Sequence, residues 1–153
     1  MARPETFTTN SEQETFALGE KIAGTLQPGT FVLLHGDLGA GKTAFVRGLA
    51  SGLGANPDDV SSPTFVLIQH YKGRVPLVHV DLYRLDSGAA VDDLGLEEMA
   101  DGAVVAVEWA ERLPRQIEDS VTVKIEDLGN DARRITVLRQ TANGKRPTVN
   151  GKR

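Results

Sequence analysis

A glycine-rich segment at residues 36–43 leaves few folds open to this chain. An apolar run at 31–34 precedes the segment, and apolar residues with helical spacing follow it at positions 45, 49 and 53. A glycine-rich turn before an ordinary helix is the alternative interpretation, but strand, loop and helix in this order favour a phosphate-binding loop. The segment matches the pattern G-x-x-x-x-G-K-T with the residues Gly36, Asp37, Leu38, Gly39, Ala40, Gly41, Lys42 and Thr43.

The residue types in this segment indicate how it would hold a phosphate. Glycines let consecutive backbone N–H groups face an anion, and the N-terminus of the following helix adds the positive end of its dipole. Lys42 supplies a cation, and the hydroxyl of Thr43 is an oxygen ligand suited to Mg²⁺. The segment therefore predicts a binding site for a nucleoside triphosphate together with Mg²⁺.

The overall composition narrows the class of protein. A chain of 153 residues is long enough for one domain with a buried core. Its formal charge of −4 argues against a broad basic surface for nucleic acid, and the lack of cysteine excludes disulfides and thiolate metal sites. No apolar run approaches the roughly 18 residues of a membrane span, and no secretory signal is visible. We therefore expect a cytoplasmic protein that makes no membrane contact.

The last fifteen residues differ in composition from the rest of the chain. They have no acidic residue and no periodicity, and their basic residues are Arg139, Lys145, Arg146, Lys152 and Arg153. We predict one domain over residues 1–138 and a basic, disordered tail over residues 139–153. Contact of the tail with RNA is the alternative to a solvated terminus.

The order of the predicted elements is typical of an α/β fold. Ser11 with Glu14 forms a capping box that starts a helix ending before Pro28. The continuously apolar run at 103–107 is typical of a central strand covered on both faces. The other predicted elements are an edge strand at 5–9, a strand at 30–35, a helix at 42–53, a hairpin of 65–71 with 75–80, short helices within 87–100 and a closing hairpin of 121–126 with 135–138.

Two carboxylates end apolar strands of this predicted fold. Asp81 follows the run at 77–80, and Glu108 follows the run at 103–107. If both strands run parallel to the one before the glycine loop, both acids lie at its carboxyl edge, where open α/β sheets bind ligands. Either acid alone could instead cap a turn or pair with Arg84 or Arg112.

For three further features, a functional role and a structural role are both considered. The segment Ser61–Thr64 could sense a γ-phosphate or form a proline-stiffened loop. Trp109 could stack on a base, although packing in the core or an interface is the commoner role. His35, His70 and His79 lack the spacing of metal ligands, so we predict structural roles for all three.

Four segments of the sequence together resemble the TsaE (YjeE) family, the bacterial ATPases of tRNA threonylcarbamoyladenosine biosynthesis. The resemblance extends over roughly residues 7–138 and leaves out only the basic tail. The phosphate-binding loop alone occurs in many families, but the four segments in this order are specific. They are 36–43 (Gly-Asp-Leu-Gly-Ala-Gly-Lys-Thr), 62–65 (Ser-Pro-Thr-Phe), 79–85 (His-Val-Asp-Leu-Tyr-Arg-Leu) and 107–109 (Val-Glu-Trp).

The resemblance implies a P-loop NTPase-like, three-layer α/β fold, with a mostly parallel sheet and an antiparallel extension. It also implies hydrolysis of ATP with Mg²⁺ that is weak for the protein alone and is stimulated by partners. In the family those partners are TsaD and TsaB, which transfer threonylcarbamoyl to adenosine 37 of tRNA, so contact with tRNA is indirect. The role of the ATPase resembles that of a switch that resets or remodels this assembly between turnovers.

The resemblance also implies roles for individual residues at the metal and phosphates. Residues 36–43 would surround the phosphates, and Lys42 would hold the β- and γ-phosphates. Thr43 would be a ligand of Mg²⁺, and Glu108 would be a ligand directly or through water. Asp81, in the position of a Walker B acid, would order the metal's waters or the attacking water. Lys42, Asp81 and Glu108 are thus the candidate catalytic residues.

Three more residues are carried over from the family to the nucleotide site. Trp109 would support the site or the partner surface, and Thr9 and Arg134 would lie near the adenosine. The sequence places no obvious arginine finger, although Arg47 and Arg84 are candidates to stabilise the γ-phosphate.

Two other functions remain open at this point. One is a binding module in which ATP and ADP set the affinity for a partner and hydrolysis is incidental. The other is a small-molecule kinase, which the lack of a recognisable acceptor-binding or lid segment disfavours. A Ras-like GTPase is also disfavoured, because the sequence has no Asn-Lys-x-Asp motif for guanine.

Overall fold

Strands and helices follow one another along the chain in the order that the sequence predicts. The computed structural model describes residues 3–36, 41–60, 68–83, 85, 87–114 and 116–140. The strands are β1 (Glu5–Thr9), β2 (Phe31–Gly36), β3 (Ile68–Tyr71), β4 (Leu77–Asp81), β5 (Val104–Glu108), β6 (Ser120–Gly129) and β7 (Ala132–Gln140). The helices are α1 (Glu12–Ala23), α2 (Lys42–Gly52), α3 (Gly88–Asp92) and α4 (Leu96–Met99), with 3₁₀ helices at Pro57–Asp59 and Ala110–Arg112.

The strands form one sheet with the order β1-β7-β6-β2-β5-β4-β3. Its four central strands, β6, β2, β5 and β4, are parallel, and the outer pairings of β1 with β7, β7 with β6, and β3 with β4 are antiparallel. The mostly parallel sheet with an antiparallel extension is therefore confirmed. Both predicted hairpins are present as β3–β4 and β6–β7.

The sheet is covered by helices on both faces, which gives three layers. Side chains of β5 alternate between two core clusters: Val104 and Ala106 pack with α1 and α2, whereas Val105 and Val107 pack with α3 and α4. All five residues of β5 are buried. This accounts for the continuously apolar run in the sequence, because a strand buried on both faces has no polar side. We call the surface that faces α1 and α2 the α2 face.

Helix α1 begins at the predicted cap with one change in its hydrogen bonds. The Glu14 N–H donates to Ser11 Oγ, as expected for a capping serine. The Glu14 carboxylate accepts from the N–H of Asn10 at 2.7 Å, one residue earlier than the box predicts. Within the described ranges, no helix is both long and apolar enough to cross a membrane.

The last strand passes the predicted domain boundary at 138. Arg139 and Gln140 pair with Val121 and Ser120 of β6, because the ladder continues to the start of that strand. These first two residues of the predicted tail are therefore strand residues. The rest of the predicted tail, residues 141–153, lies outside the described residues.

Candidate functional site

The two predicted carboxylates lie side by side at one edge of the sheet. Asp81 and Glu108 are register partners at the ends of the parallel strands β4 and β5, and β5 is parallel to β2, which leads into the glycine loop. Both acids therefore lie at the carboxyl edge, as the sequence predicted. By strand alternation they also share the α2 face with Ala106, the residue two positions before Glu108.

The side chain of Lys42 connects the two described ends of the glycine loop. Gly36 ends β2, and Gly41 caps α2 with φ 100°, a left-handed conformation that favours glycine. Lys42 Nζ donates to the carbonyl oxygen of Gly36 at 3.0 Å. Asp37, Leu38, Gly39 and Ala40 lie outside the described residues, so their predicted phosphate contacts stay predictions.

Glu108 lies between a lysine and a histidine. Its Oε1 is 3.8 Å from Lys42 Nζ, and its Oε2 is 2.7 Å from His79 Nε2. All three side chains are at least nine-tenths buried. A buried carboxylate requires such partners, because an unpaired buried charge is costly. The arrangement links Lys42, at the start of α2, to the neighbouring strands β5 and β4 at the carboxyl edge of the sheet.

His79 is the site residue that the sequence did not single out. We predicted a structural role for it, and its ring contacts the candidate metal ligand Glu108 directly, a contact that the sequence did not predict. The signal was available in the two-residue period of the strand, since His79 and Asp81 project from the same face of β4. Of the other histidines, His35 has its Nδ1 3.5 Å from Glu111 Oε1, and His70 is exposed on β3.

Asp81 also caps the turn that follows β4. Its Oδ1 accepts from the N–H of Tyr83 at 2.8 Å, so the turn-capping interpretation also describes this residue. Partial burial raises the pKa of the Asp81 carboxyl, and repulsion by Glu108 adds to the rise. The Tyr83 hydrogen bond and the charges of His79 and Lys42 lower the pKa and offset part of that rise.

Trp109 is held in an aromatic and cationic cluster beside Lys42. Its ring centroid is 4.9 Å from that of Tyr83, and the cations of Lys42 and Arg112 lie 5.5 and 5.6 Å from it. Trp109 itself has φ 60°, an uncommon conformation for a residue with a side chain. Its ring therefore packs beside Lys42, and the predicted support of the nucleotide site or of a partner surface stays a prediction.

The arginines named as alternatives have other partners or fall outside the described chain. Arg112 donates to the carbonyl of Leu85 at 2.8 Å, and Arg47 donates to the carbonyl of Val60 at 3.1 Å. Arg84 and the segment 61–67, which includes Ser61–Thr64, lie outside the described residues.

The two residues expected near the adenosine lie at the other end of the same edge. Thr9 ends β1 and is buried, with its hydroxyl 2.8 Å from that of Thr15. Arg134 is half-exposed and lies 3.5 Å from Glu126. Its neighbour Arg133 is instead the register partner of Thr9. Adjacent strand residues project to opposite faces, so Arg133 and Arg134 cannot both face the loop.

Arg133 is the hairpin arginine whose side chain approaches Gly41, at the described end of the glycine loop. A Cβ atom built on Gly41 would lie 3.2 Å from Arg133 Nε. Arg133 Nη1 donates to Asp127 Oδ1 at 3.0 Å, and its side chain is 14% exposed. The arginine is thus anchored by one strand of the hairpin and packed against the start of α2.

The oxygen ligands at the edge fit Mg²⁺ in chemical type. Asp81 and Glu108 supply carboxylates, and Thr43, the second residue of α2, supplies a hydroxyl. The part of the chain that is described holds no group of three or more His, Cys, Asp or Glu residues placed to bind a metal. The two carboxylates and the hydroxyl suit Mg²⁺ bound to a nucleotide, because that ion takes few protein ligands and keeps phosphate and water oxygens.

Comparison with known proteins identifies relatives along most of the chain. The sequence profile of the family "Threonylcarbamoyl adenosine biosynthesis protein TsaE" matches residues 9–135. Proteins named tRNA threonylcarbamoyladenosine biosynthesis protein TsaE from Treponema pallidum and Bacillus subtilis are each 41% identical to this chain. The alignments cover 84% of this chain and 96% of the Treponema protein, and 90% of this chain and 85% of the Bacillus protein.

A solved structure has the same fold. The crystal structure of Bacillus subtilis YdiB superposes with a TM-score of 0.71 at 33% identity, covering 94% of this chain and 90% of YdiB. The family match includes both ends of the described site, from Thr9 to Arg134, and the phosphate-binding pattern between them. On the family profile, the relatives and the fold together, this chain belongs to the TsaE family.

Proposed function

We propose that this protein is the ATP-binding and ATP-hydrolysing subunit of the machinery that makes threonylcarbamoyladenosine in tRNA. The observation that carries the proposal is the convergence of Lys42, Glu108 and Asp81 at the carboxyl edge, beside Gly36, the described start of the glycine loop. The names of the Treponema and Bacillus relatives supply the pathway. The protein would act in the cytoplasm, where tRNA is modified.

We assign the phosphate and metal contacts to residues around this loop. Lys42 would hold the β- and γ-phosphates. Its buried ammonium group lies beside Glu108 and donates to the carbonyl oxygen of Gly36, at the start of the glycine loop. Thr43 and Glu108 would hold Mg²⁺, with Asp81 ordering its waters or the attacking water. When bound, Mg²⁺ neutralises charge on the phosphate oxygens. Residues 36–43 would surround the phosphates through their N–H groups.

The adenosine would lie toward β1 and the β6–β7 hairpin. Thr9 and Arg134 stay candidates for this side of the site, and Trp109 stays a candidate support. The packing of Arg133 on Gly41 makes Arg133 the better-placed arginine, since Arg134 projects to the opposite face of the strand.

Hydrolysis in the isolated protein is expected to be slow. Phosphoryl transfer to water depends on positioning and on cations that stabilise the transition state. Arg47, one of the candidate arginines, donates to a backbone carbonyl in this structure. We therefore propose that TsaD and TsaB stimulate the reaction, and that the ATP cycle resets their assembly between turnovers.

The test is ATP hydrolysis by the purified protein with Mg²⁺, alone and with TsaD and TsaB. We expect a slow rate alone and a clear stimulation by the pair. Lys42→Ala should abolish hydrolysis in both settings, whereas Lys21→Ala, at an exposed position in the last turn of α1, should not change it. Undiminished hydrolysis in the Lys42 variant would refute the assigned site.

A non-hydrolysable ATP analogue separates the switch from a binding module. If the analogue sustains repeated rounds of tRNA modification, ATP acts only by setting affinity and hydrolysis is incidental. If modification stops after one round, hydrolysis resets the assembly as proposed. Phosphate transferred to a sugar or nucleoside acceptor would instead indicate a kinase.

A further inference from the structure

We propose that His79 is a positioning residue that fixes the orientation of Glu108 for the metal. The inference rests on the proposed function, because it concerns the same Mg²⁺ site. His79 lies on β4, and its Nε2 is 2.7 Å from Glu108 Oε2 at the end of β5. This is the arrangement in which an outer residue orients a carboxylate that itself contacts the ion.

The two oxygens of Glu108 have different partners. Oε2 is engaged by His79, and Oε1 is 3.8 Å from Lys42 Nζ, beyond hydrogen-bond distance. A carboxylate oxygen can only accept, so the hydrogen bond places a proton on His79 Nε2. With one oxygen held by the ring, the carboxylate cannot turn freely, and Oε1 is directed to the side of the glycine loop.

Packing holds the histidine ring in place. The His79 side chain is 1% exposed, and its strand lies between β3 and β5, with Gln69 and Ala106 as its register partners. A hydrogen bond from a group this rigid restricts its partner more than one from a mobile surface residue, because little of the ring's freedom remains to be lost. The ring can therefore hold Glu108 in one orientation before any ligand binds.

A histidine at this position does not improve the packing of the core. The neighbouring residues of β4, Leu77, Val78 and Val80, are apolar and buried. Within the described residues, the second ring nitrogen of His79, Nδ1, is buried without a hydrogen-bond partner. A buried polar atom without a partner is costly, whereas an apolar side chain of similar size would pack here without that cost. The contact with Glu108 is the feature that accounts for the histidine.

The experiment uses Trp109, the single tryptophan of the chain, as a reporter of the site. Its ring is 5.5 Å from Lys42 Nζ, so its fluorescence should respond to ADP and Mg²⁺. ADP affinity is measured first in EDTA, and Mg²⁺ is then titrated into the ADP complex. His79→Leu should leave the affinity in EDTA unchanged and weaken the apparent Mg²⁺ affinity about tenfold.

Two further variants test the hydrogen bond itself. His79→Gln retains an N–H donor and should recover part of the Mg²⁺ affinity, whereas His79→Met, of similar length without a donor, should behave like His79→Leu. The Gln and Met pair gives the same comparison if the Leu variant does not fold. His70→Leu on the neighbouring strand β3, at an exposed position, is the matched control and should change neither affinity.

A double-mutant cycle tests whether His79 acts through Glu108. In a Glu108→Gln background, His79→Leu should cause little further loss of Mg²⁺ affinity, since the residue it positions is already removed. An unchanged Mg²⁺ affinity in folded His79→Leu, or equal losses in the Gln and Met variants, would overturn the inference and leave the proposed function intact. Failure of the wild-type protein to bind ADP would overturn the proposed function, and this inference with it.

Discussion

The guanidinium Nε of Arg133 lies 3.2 Å from the position that a Cβ atom on Gly41 would occupy. This close approach joins the β6–β7 hairpin to the N-cap residue of α2, and it is possible because Gly41 has no side chain. The same glycine has φ 100°, so two separate constraints act on one residue.

Gly41→Ala should therefore destabilise the fold and impair nucleotide binding together. The left-handed conformation costs about 1–2 kcal/mol for a residue with a Cβ, and Arg133 must also move away. The check is urea unfolding combined with an ADP titration. Gly29→Ala is the matched control, because Gly29 has φ 98° but nothing within 4 Å of its Cβ position. The control should lose stability and keep its ADP affinity; equal losses of ADP affinity in both variants would contradict the role of Arg133.

Arg133→Ala and Arg134→Ala should have different effects on the site. Removing Arg133 should weaken ADP binding about tenfold, or about 1.4 kcal/mol, because the side chain lies beside Gly41 and is only 14% exposed. Arg134 is half-exposed, and its Nη1 lies 3.5 Å from Glu126 Oε1. Because exposed ion pairs contribute little, removing Arg134 should change the free energy of unfolding by less than about 1 kcal/mol. ADP titrations of the two variants make the comparison. A larger loss of ADP affinity in the Arg134 variant would restore Arg134 as the adenosine-side residue.

The raised pKa of Asp81 predicts a pH dependence of stability. Partial burial raises the pKa, the Tyr83 hydrogen bond lowers it, and the charge of Glu108 raises it further. The folded state therefore holds a proton on Asp81 over a pH range in which the unfolded chain has lost it. In that range stability falls as the pH rises, and above the raised pKa the loss is complete.

Asp81→Asn should remove this loss of stability in the ligand-free protein. The free energy of unfolding of the variant, minus that of wild type, should be larger at about pH 7 than at about pH 4. The difference should be small, because the side chain is only partly buried and solvent screens its charge. Urea unfolding at several pH values measures it, with exposed Asp101→Asn as the control. A difference that does not vary with pH would show that burial of Asp81 does not set its titration.

Gly48→Ala should separate the two helices on the α2 face. A Cβ atom on Gly48 would lie 2.1 Å from the carbonyl oxygen of Phe16 and 3.0 Å from Gly19 Cα, both of them backbone atoms of α1. Overpacking of this kind costs about 1–3 kcal/mol, and here the backbone itself must move. Gly24→Ala is the control, since Gly24 has φ −64° and its nearest contact is at 3.5 Å. Thermal unfolding should show a large loss for Gly48→Ala and little change for Gly24→Ala; similar melting of both would mean that α1 and α2 are not in close contact here.

The sequence predicted the elements of the fold because their signals are local. The glycine loop, the serine cap of α1 and the apolar run of β5 each depend on residues within a few positions of one another. Element boundaries shifted by one to three residues, as in β7, which was predicted over 135–138 and extends over Ala132–Gln140 because it pairs with β6. The short helices between β4 and β5 were also predicted, from the glycines that interrupt them.

The contacts within the site depend on which strands are neighbours. Asp81 and Glu108 were expected at one edge only if their strands were parallel, and the order β2-β5-β4 makes them register partners. The same order places His79 beside Glu108, although the two residues are 29 positions apart and nothing in the sequence near either one indicates the other. For this reason a histidine in an apolar strand was predicted to be structural.

The sequence by itself determined that this chain has the G-x-x-x-x-G-K-T pattern of a phosphate-binding loop, an α/β fold and acids at the ends of its strands, because such patterns depend on neighbouring residues. Only the tertiary structure decided which side chains meet. The register of β7 selects Arg133 rather than Arg134 to face Gly41, and the order of the sheet gives Glu108 its two partners, Lys42 and His79. The physical reason is the two-residue period of a strand: a shift of one position moves a side chain to the opposite face of the sheet.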